Sequence, residues 1–442
     1  MPAAPRWFDG TVPLLKDIDT ARRLVRNILI SRRNRGTVAR LAPSHPRPKP
    51  GSIQIAVYFA DTQVNMYQVR QWYAPLAELA KTWPVAIISR APSTVLALWD
   101  EAPVPAVYAR TVADLEHFVW EQDLRIVLYV NQNAKNFQMF RYGRMWHVFI
   151  NHGESDKMYM TTNQFKAYDY SLVAGDAAVD RLSHRLWDFD MKRRVIKIGR
   201  PQADYFTGEL PYTPDHRTVV LYAPTWEGDR AAAAYGSIAS HGVALTAALL
   251  ASPDHRLVYR PHPRSGVLDR EYKAANDTII AAIAKANAAD PSAQHIYDTS
   301  NELGWQLSAP DVAISDISAM VYDRLATGKP LLIARPVSPD AEVDENGYLG
   351  ACEWLAADEA GDILAIARRV QFDDEAQARL RFWVERHFGD TTPGQATKRL
   401  QAAIAKLMKE WDKHALVHAG DARVHEGDPF GEDDEDATPG AS

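Results

Sequence analysis

Three short stretches carry side chains suited to moving a phosphate. "FINHGESDK" sets His152 directly behind an apolar run and follows it with Gly153, which permits a sharp turn and close ligand approach. An imidazole with an unperturbed pKa of about 6.5 can accept a hydroxyl proton at neutral pH. A lone histidine is more often a satisfied structural residue, so its place in the fold decides its role. "YRPHPR" puts Arg260, His262 and Arg264 at alternate positions. In an extended segment, alternation turns all three to one face, and three such groups suit a diphosphate. The competing reading is a surface turn fixed by Pro261 and Pro263, with solvated arginines. "SDISAM" stands between a strand-like and a helix-like run. Asp316 or Ser318 can cap that helix by accepting from its exposed N–H groups. The same N–H groups, at the positive end of the helix dipole, can instead bind an anion, with Ser318 adding a hydroxyl.

Other chemistry-bearing patterns are missing. The sequence has no GxxxxGK[ST], GxGxxG, HExxH, CxxC or GxSxG. Gly328-Lys329 is followed by Pro330 and reads as a helix stop. The triplets "DFD" (188–190) and "DID" (17–19) match an acid-x-acid metal pattern at chance level, so no metal site is assigned.

These stretches need elements that present them. From residue 52, short apolar runs alternate with helical stretches: "SIQIAVYFA", "PVAIISRA", "PAVYAR", "RIVLYVN", "WHVFINH", "YSLVAG" and "RVIKIGRP". A second series follows: "TVVLYAPTW", "HRLVYRPHP", "QHIYD", "DVAISD" and "PLLIARP". Continuous apolar strands alternating with helices predict parallel sheets covered on both faces, in two doubly wound α/β domains. In such sheets ligands bind beyond the carboxyl ends of the strands. The polar loops "NHGESDK", "GRPQAD", "APTWEG", "RPHPR", "YDTSNE" and "SDIS" all fall there, which predicts a cleft between the domains. The expected organisation is a basic N-terminal segment and linker (1–51), a first Rossmann-like domain (52–205), a second (206–412) ending in a helix near 394–412, and an acidic tail (413–442).

The bulk composition fits a folded protein of more than one domain. The chain has 442 residues, 46% hydrophobic and 24% charged, with a net charge of -6. That balance does not point to nucleic acid. Cys352 is the only cysteine, so no intrachain disulfide is expected and a reducing compartment fits. No apolar run approaches the roughly 18 residues of a membrane span, and no secretory signal is read. Residues 14–34 have helical periodicity, with Leu15, Ile18, Ala21, Val25, Ile28 and Leu29 on one face and basic residues beside it. Such a helix can lie on an anionic membrane or pack on its own domain. "APSHPRPKPG" (42–51) reads as a linker, and the acidic end as disorder.

"VVLYAPTW", "YRPHPR", "SDISAMVYDRLATGKPLL" and "NHGESDK" together resemble the CDP-glycerol glycerophosphotransferase family, which includes the teichoic acid glycerol-phosphate polymerases and primases. "IGRPQAD" and "DTTPGQATKRL" resemble two further family stretches. The resemblance implies a GT-B architecture, two Rossmann-like domains with the donor in the cleft between them. It implies transfer of a polyol phosphate from a CDP-activated donor to an acceptor hydroxyl, with CMP released and no cofactor beyond that donor substrate. It makes His152 the catalytic histidine, His262 the donor-phosphate histidine, and Asp316 and Ser318 the pair at the phosphate-binding helix; with His262 also expected to be catalytic, Thr225, Arg260, Arg264 and Ala319 complete the expected donor-binding set. The implied acceptor is a lipid-linked polymer at the inner membrane face, which favours a cytoplasmic chain with peripheral membrane contact through residues 14–34. Asn151 stands where the family usually has Trp, Glu154-Ser155-Asp156 where it has Thr-Pro-Leu, Glu227 where Arg is common, Ala319 for a second Ser, and Gln202 for an Arg. Glu227 is expected to repel a phosphate. Two alternatives stay open: a GT-B glycosyltransferase or sugar-nucleotide epimerase using UDP or GDP donors, and a nucleotide-binding protein without turnover.

Overall fold

The computed structural model describes residues 14–153, 162–300 and 303–421. Glu154, Ser155 and Asp156, the tail from residue 422, and the side chains of residues 14–25 and 27 lie outside the described residues.

The first sheet consists of β1 (Ile55–Phe59), β2 (Val85–Ser89), β3 (Ala106–Tyr108), β4 (Ile126–Tyr129), β5 (Trp146–Phe149), β6 (Tyr170–Val173) and β7 (Val195–Lys197), in the order β3-β2-β1-β4-β5-β6-β7. The second consists of β8 (Thr218–Ala223), β9 (His255–Tyr259), β10 (Ile296–Tyr297), β11 (Val312–Ser315), β12 (Leu331–Ala334) and β13 (Glu353–Leu355), in the order β10-β9-β8-β11-β12-β13. The described pairings are parallel.

Burial explains why the strands read as unbroken apolar runs. Val219, Leu221, Ala223, Ala313, Leu331 and Ile333 pack into one core of the second sheet. Their neighbours Val220, Tyr222, Val312, Ile314 and Leu332 pack into another. Successive side chains point to opposite faces, so a strand covered on both sides must be apolar at every position.

The twelve strand runs read from the sequence all form strands, and β13 is an addition. β13 has only three residues, opens with Glu353 and pairs on one side only, which leaves little periodicity to detect. The basic helix runs Leu14–Leu41, longer than expected, and the C-terminal helix Gln395–Val417.

Contacts divide the chain into two compact units, residues 1–147 with 411–442 and residues 148–410. In the first, the Trp411 indole donates to the Arg144 carbonyl at 2.9 Å, and Arg125 lies 4.7 Å over the Trp411 ring. In the second, Asp204 accepts from the N–H groups of Gly394 (3.0 Å) and Thr397 (2.7 Å), at the start of the C-terminal helix. Beside it Gly199 has φ 73° and lies so near the Phe388 carbonyl that a Cβ would sit 3.0 Å from it. A side chain there would meet both backbone strain and this contact. "GRPQAD" and "GQATKR" are thus two halves of one contact.

Candidate functional site

In the second sheet the strand order reverses between β8 and β11, where open α/β sheets leave a crevice at their carboxyl ends. Ala223 and Ser315 are the last partners in register, so the loop from Pro224 and the loop from Asp316 leave side by side.

Asp316 joins these loops from below. It is wholly buried, and its Oδ2 accepts from the N–H groups of Thr225 (2.7 Å) and Ser237 (3.1 Å). Burial pushes its carboxyl up to about 7, against the lowering effect of those hydrogen bonds. Asp316 therefore acts on its surroundings through backbone. Tyr272 fixes the Thr225 loop from the other side, its hydroxyl donating to the Thr225 carbonyl at 2.5 Å.

Ser318 caps the helix Ala319–Leu325, its Oγ accepting from Met320 N–H at 3.3 Å. Ser318 is half-buried and Ala319 is exposed. The capping reading is thus present, and it leaves the Ser318 O–H able to donate to an anion. Gly328 ends this helix with φ 69°, and Lys329 donates to the Ser308 carbonyl at 2.5 Å, so the Gly-Lys-Pro stretch is structural.

The loop after β9 does not turn all three cationic groups one way. The Arg260 guanidinium is ion-paired with Asp298 and donates to Ser300 Oγ and O, both at 3.0 Å. His262 stays beside the Thr225 loop, its N–H donating to the Pro224 carbonyl at 3.1 Å. Its Nδ1 accepts from Arg264 N–H at 3.1 Å, which places the ring proton on Nε2. Partial burial, then the Arg264 charge, lower its pKa below the ordinary value, so at neutral pH the ring is an uncharged donor. Arg264 lies 3.8 Å over the Trp226 ring.

Glu227 does not stand as a bare charge. It accepts from the N–H groups of Gly266 (2.9 Å), Leu268 (2.7 Å) and Asp269 (3.1 Å), folding the loop that leads into the helix Arg270–Ala289. Partial burial works to raise its pKa, but the backbone N–H groups outweigh it and hold the carboxyl below its ordinary value.

His152 lies on a turn behind β5. Asn151 takes φ 54°, a left-handed conformation that asparagine tolerates better than most residues. Its Oδ1 accepts from His152 N–H at 2.9 Å and its Nδ2 donates to the Gly153 carbonyl at 2.5 Å. A Cβ at Gly153 would lie 4.0 Å from both terminal nitrogens of Arg200. Arg200 is ion-paired with Asp323, and both are nearly buried. Asp323 belongs to the helix that Ser318 caps. The Arg200 side chain is therefore bound to the helix of the candidate anion cradle and passes beside Gly153, next to His152.

Arg200, Asp323, Ser237 and Tyr272 were not among the residues singled out in the sequence. "GRPQAD" lay among the strand-end loops, and a carboxylate in the apolar helix "AMVYDRL" is the signal that would have flagged the pair. The loops at and beside the β8–β11 reversal carry a ring N–H at His262, a guanidinium at Arg264 and a hydroxyl at a helix start, groups able to donate to an anion, and the His152 imidazole stands on its own turn.

The family described as CDP-Glycerol:Poly(glycerophosphate) glycerophosphotransferase matches residues 148–406. No curated protein matches the chain by sequence. Among solved structures, the wall teichoic acid polymerase TagF aligns at 14% identity, TM-score 0.50, over 90% of this chain and 99% of that one. A UDP-N-acetylglucosamine 2-epimerase aligns at 13% identity, TM-score 0.50, over 82% and 97%. The shared fold is α/β and GT-B-like.

Proposed function

The chain belongs to the CDP-glycerol:poly(glycerophosphate) glycerophosphotransferase family, and from that premise we propose that it moves a glycerol-phosphate or related polyol-phosphate unit from a CDP-activated donor to an acceptor hydroxyl in cell-wall or capsule polymer synthesis. His152 removes the proton from the hydroxyl. The oxygen attacks the distal phosphorus of the donor in line with the leaving CMP. The Nε2–H of His262 and the Arg264 guanidinium meet the non-bridging oxygens. Ser318, Ala319 and Thr225 line the diphosphate, and Asp316 and Arg260 hold their loops in place. Donors fixed before the reaction stabilise developing charge without reorganising.

The observation that supports this reading most is the meeting, at the β8–β11 reversal, of the Thr225 and Ser318 loops, with His262 hydrogen-bonded to the former. The test is a donor screen with the purified chain: CDP-glycerol, CDP-ribitol and UDP or GDP sugars. CMP release supports the proposal. UDP or GDP release supports a glycosyltransferase or epimerase, and nucleotide binding without turnover a binding protein.

The acceptor we propose is a lipid-linked polymer at the inner membrane face. Among the described residues no helix is long and apolar enough to cross a membrane. The helix Leu14–Leu41 exposes Leu29 and Ile30 beside Arg26, Arg32 and Arg33, a pattern suited to an anionic lipid surface. Deleting residues 1–45 should abolish sedimentation with anionic liposomes, and unchanged sedimentation would refute the contact.

A further inference from the structure

The first sheet has its own reversal of strand order, between β1 and β4, and the transfer chemistry above leaves it unused. We propose that the crevice there binds an uncharged, hydroxyl-rich ligand, a sugar ring. That this sugar belongs to the acceptor rests on the proposed function; that it binds does not.

The loops after β1 and β4 leave from adjacent strands, Val57 standing opposite Leu128. Asp61, Gln68 and Asn131 lock them together. Asp61 Oδ1 accepts from Thr62 N–H at 2.7 Å, and its Oδ2 from the amides of Asn65 (2.9 Å) and Asn131 (3.3 Å). The Asn131 amide also donates to Gln68 Oε1 at 2.7 Å. Both its amide protons are thus engaged, whereas Oδ1 receives no hydrogen bond from a described residue. Gln68 and Asn131 are nearly buried, so these planar groups are held in fixed orientations.

Tyr67 adjoins this polar group, and Phe137 follows Asn136, whose amide donates to the Asn131 carbonyl at 2.7 Å. Tyr67 is 50% exposed and receives a hydrogen bond from Gln68 at 3.3 Å. Phe137, 56% exposed, meets Phe140 edge to face with centroids 5.3 Å apart. Exposed rings beside fixed amides and a carboxylate match a pyranose, whose apolar face stacks on a ring while its hydroxyls bond to planar polar groups.

Charge decides against a phosphate here. Arg90 is turned to the Arg110 carbonyl (2.6 and 3.1 Å) and to Gln138. The segment Ala60–Asn65 has no glycine for a phosphate loop, and the helix behind it, Met66–Arg70, has only five residues. An anion entering would meet the Asp61 carboxylate, which repels it at close range.

The test is saturation-transfer NMR on the purified full chain, with cellobiose and chitobiose as neutral probes and glycerol 3-phosphate as the charged one. At least one disaccharide should show transfer that glycerol 3-phosphate does not displace. Tyr67→Ala and Phe137→Ala should each weaken binding by about twofold to tenfold, with unchanged melting. No transfer to either disaccharide, displacement by glycerol 3-phosphate, or full binding by the Tyr67→Ala/Phe137→Ala double variant would overturn the proposal. Turnover is not read, so this result and the donor screen stand or fall separately.

Discussion

Arg200, in the segment after β7, and Asp323, in the helix capped by Ser318, form a nearly buried ion pair, and the backbone of Gly153 lies beside the guanidinium. A charge taken out of water must be paired or it is costly, so the pair fixes both elements relative to each other.

Removing one partner should therefore be worse than removing both. Arg200→Leu leaves Asp323 buried without its cation and should cost roughly 3–5 kcal/mol in urea unfolding. Burial already raises the Asp323 carboxyl's pKa against the pull of Arg200, so the variant should take up a proton on folding. The double variant Arg200→Leu/Asp323→Leu should recover much of the loss. A single variant within about 0.5 kcal/mol of wild type would show that the pair does not hold the segment after β7 to this helix.

Asp316 predicts a pH dependence with a definite sign. Its ordinary pKa of 3.8 is pushed to about 7 in the folded chain. The native state then binds a proton more tightly than the unfolded state. The stabilisation is full below about pH 4 and is lost as pH rises through about 7. Relative to Asp316→Asn, which does not titrate, wild type should lose roughly 2–3 kcal/mol of unfolding free energy between about pH 5 and pH 8. Parallel curves for the two proteins would contradict the burial argument.

Glu227 should matter for donor binding more than for chemistry. Glu227→Ala leaves the N–H groups of Gly266, Leu268 and Asp269 without their acceptor. The loop holding Arg264 should loosen, and KM for the CDP donor should rise roughly tenfold with a smaller change in kcat. If instead Glu227 only repelled phosphate, its removal would lower KM.

The fold was legible because period and burial agree. Runs such as "TVVLYA" and "DVAIS" are apolar at every position, since Val220 and Leu221 face different cores. The strand-end loops carried the candidate site for the same reason. What the sequence could not show is where a charged side chain turns. Arg260 and Arg264 alternate with His262, yet one goes to Asp298 and the other to Trp226, because partners distant in the chain outcompete the local extended geometry. Glu227 looked like an obstacle to phosphate until its three backbone partners, about forty residues away, were in place.

The central claim is that His152 acts as the base on an acceptor hydroxyl. CMP release from CDP-glycerol by purified His152→Ala, compared with wild type under saturating donor, tests it most directly. The account predicts a fall in kcat of roughly 10²–10⁴ with donor affinity preserved. Turnover within a few-fold of wild type would contradict it.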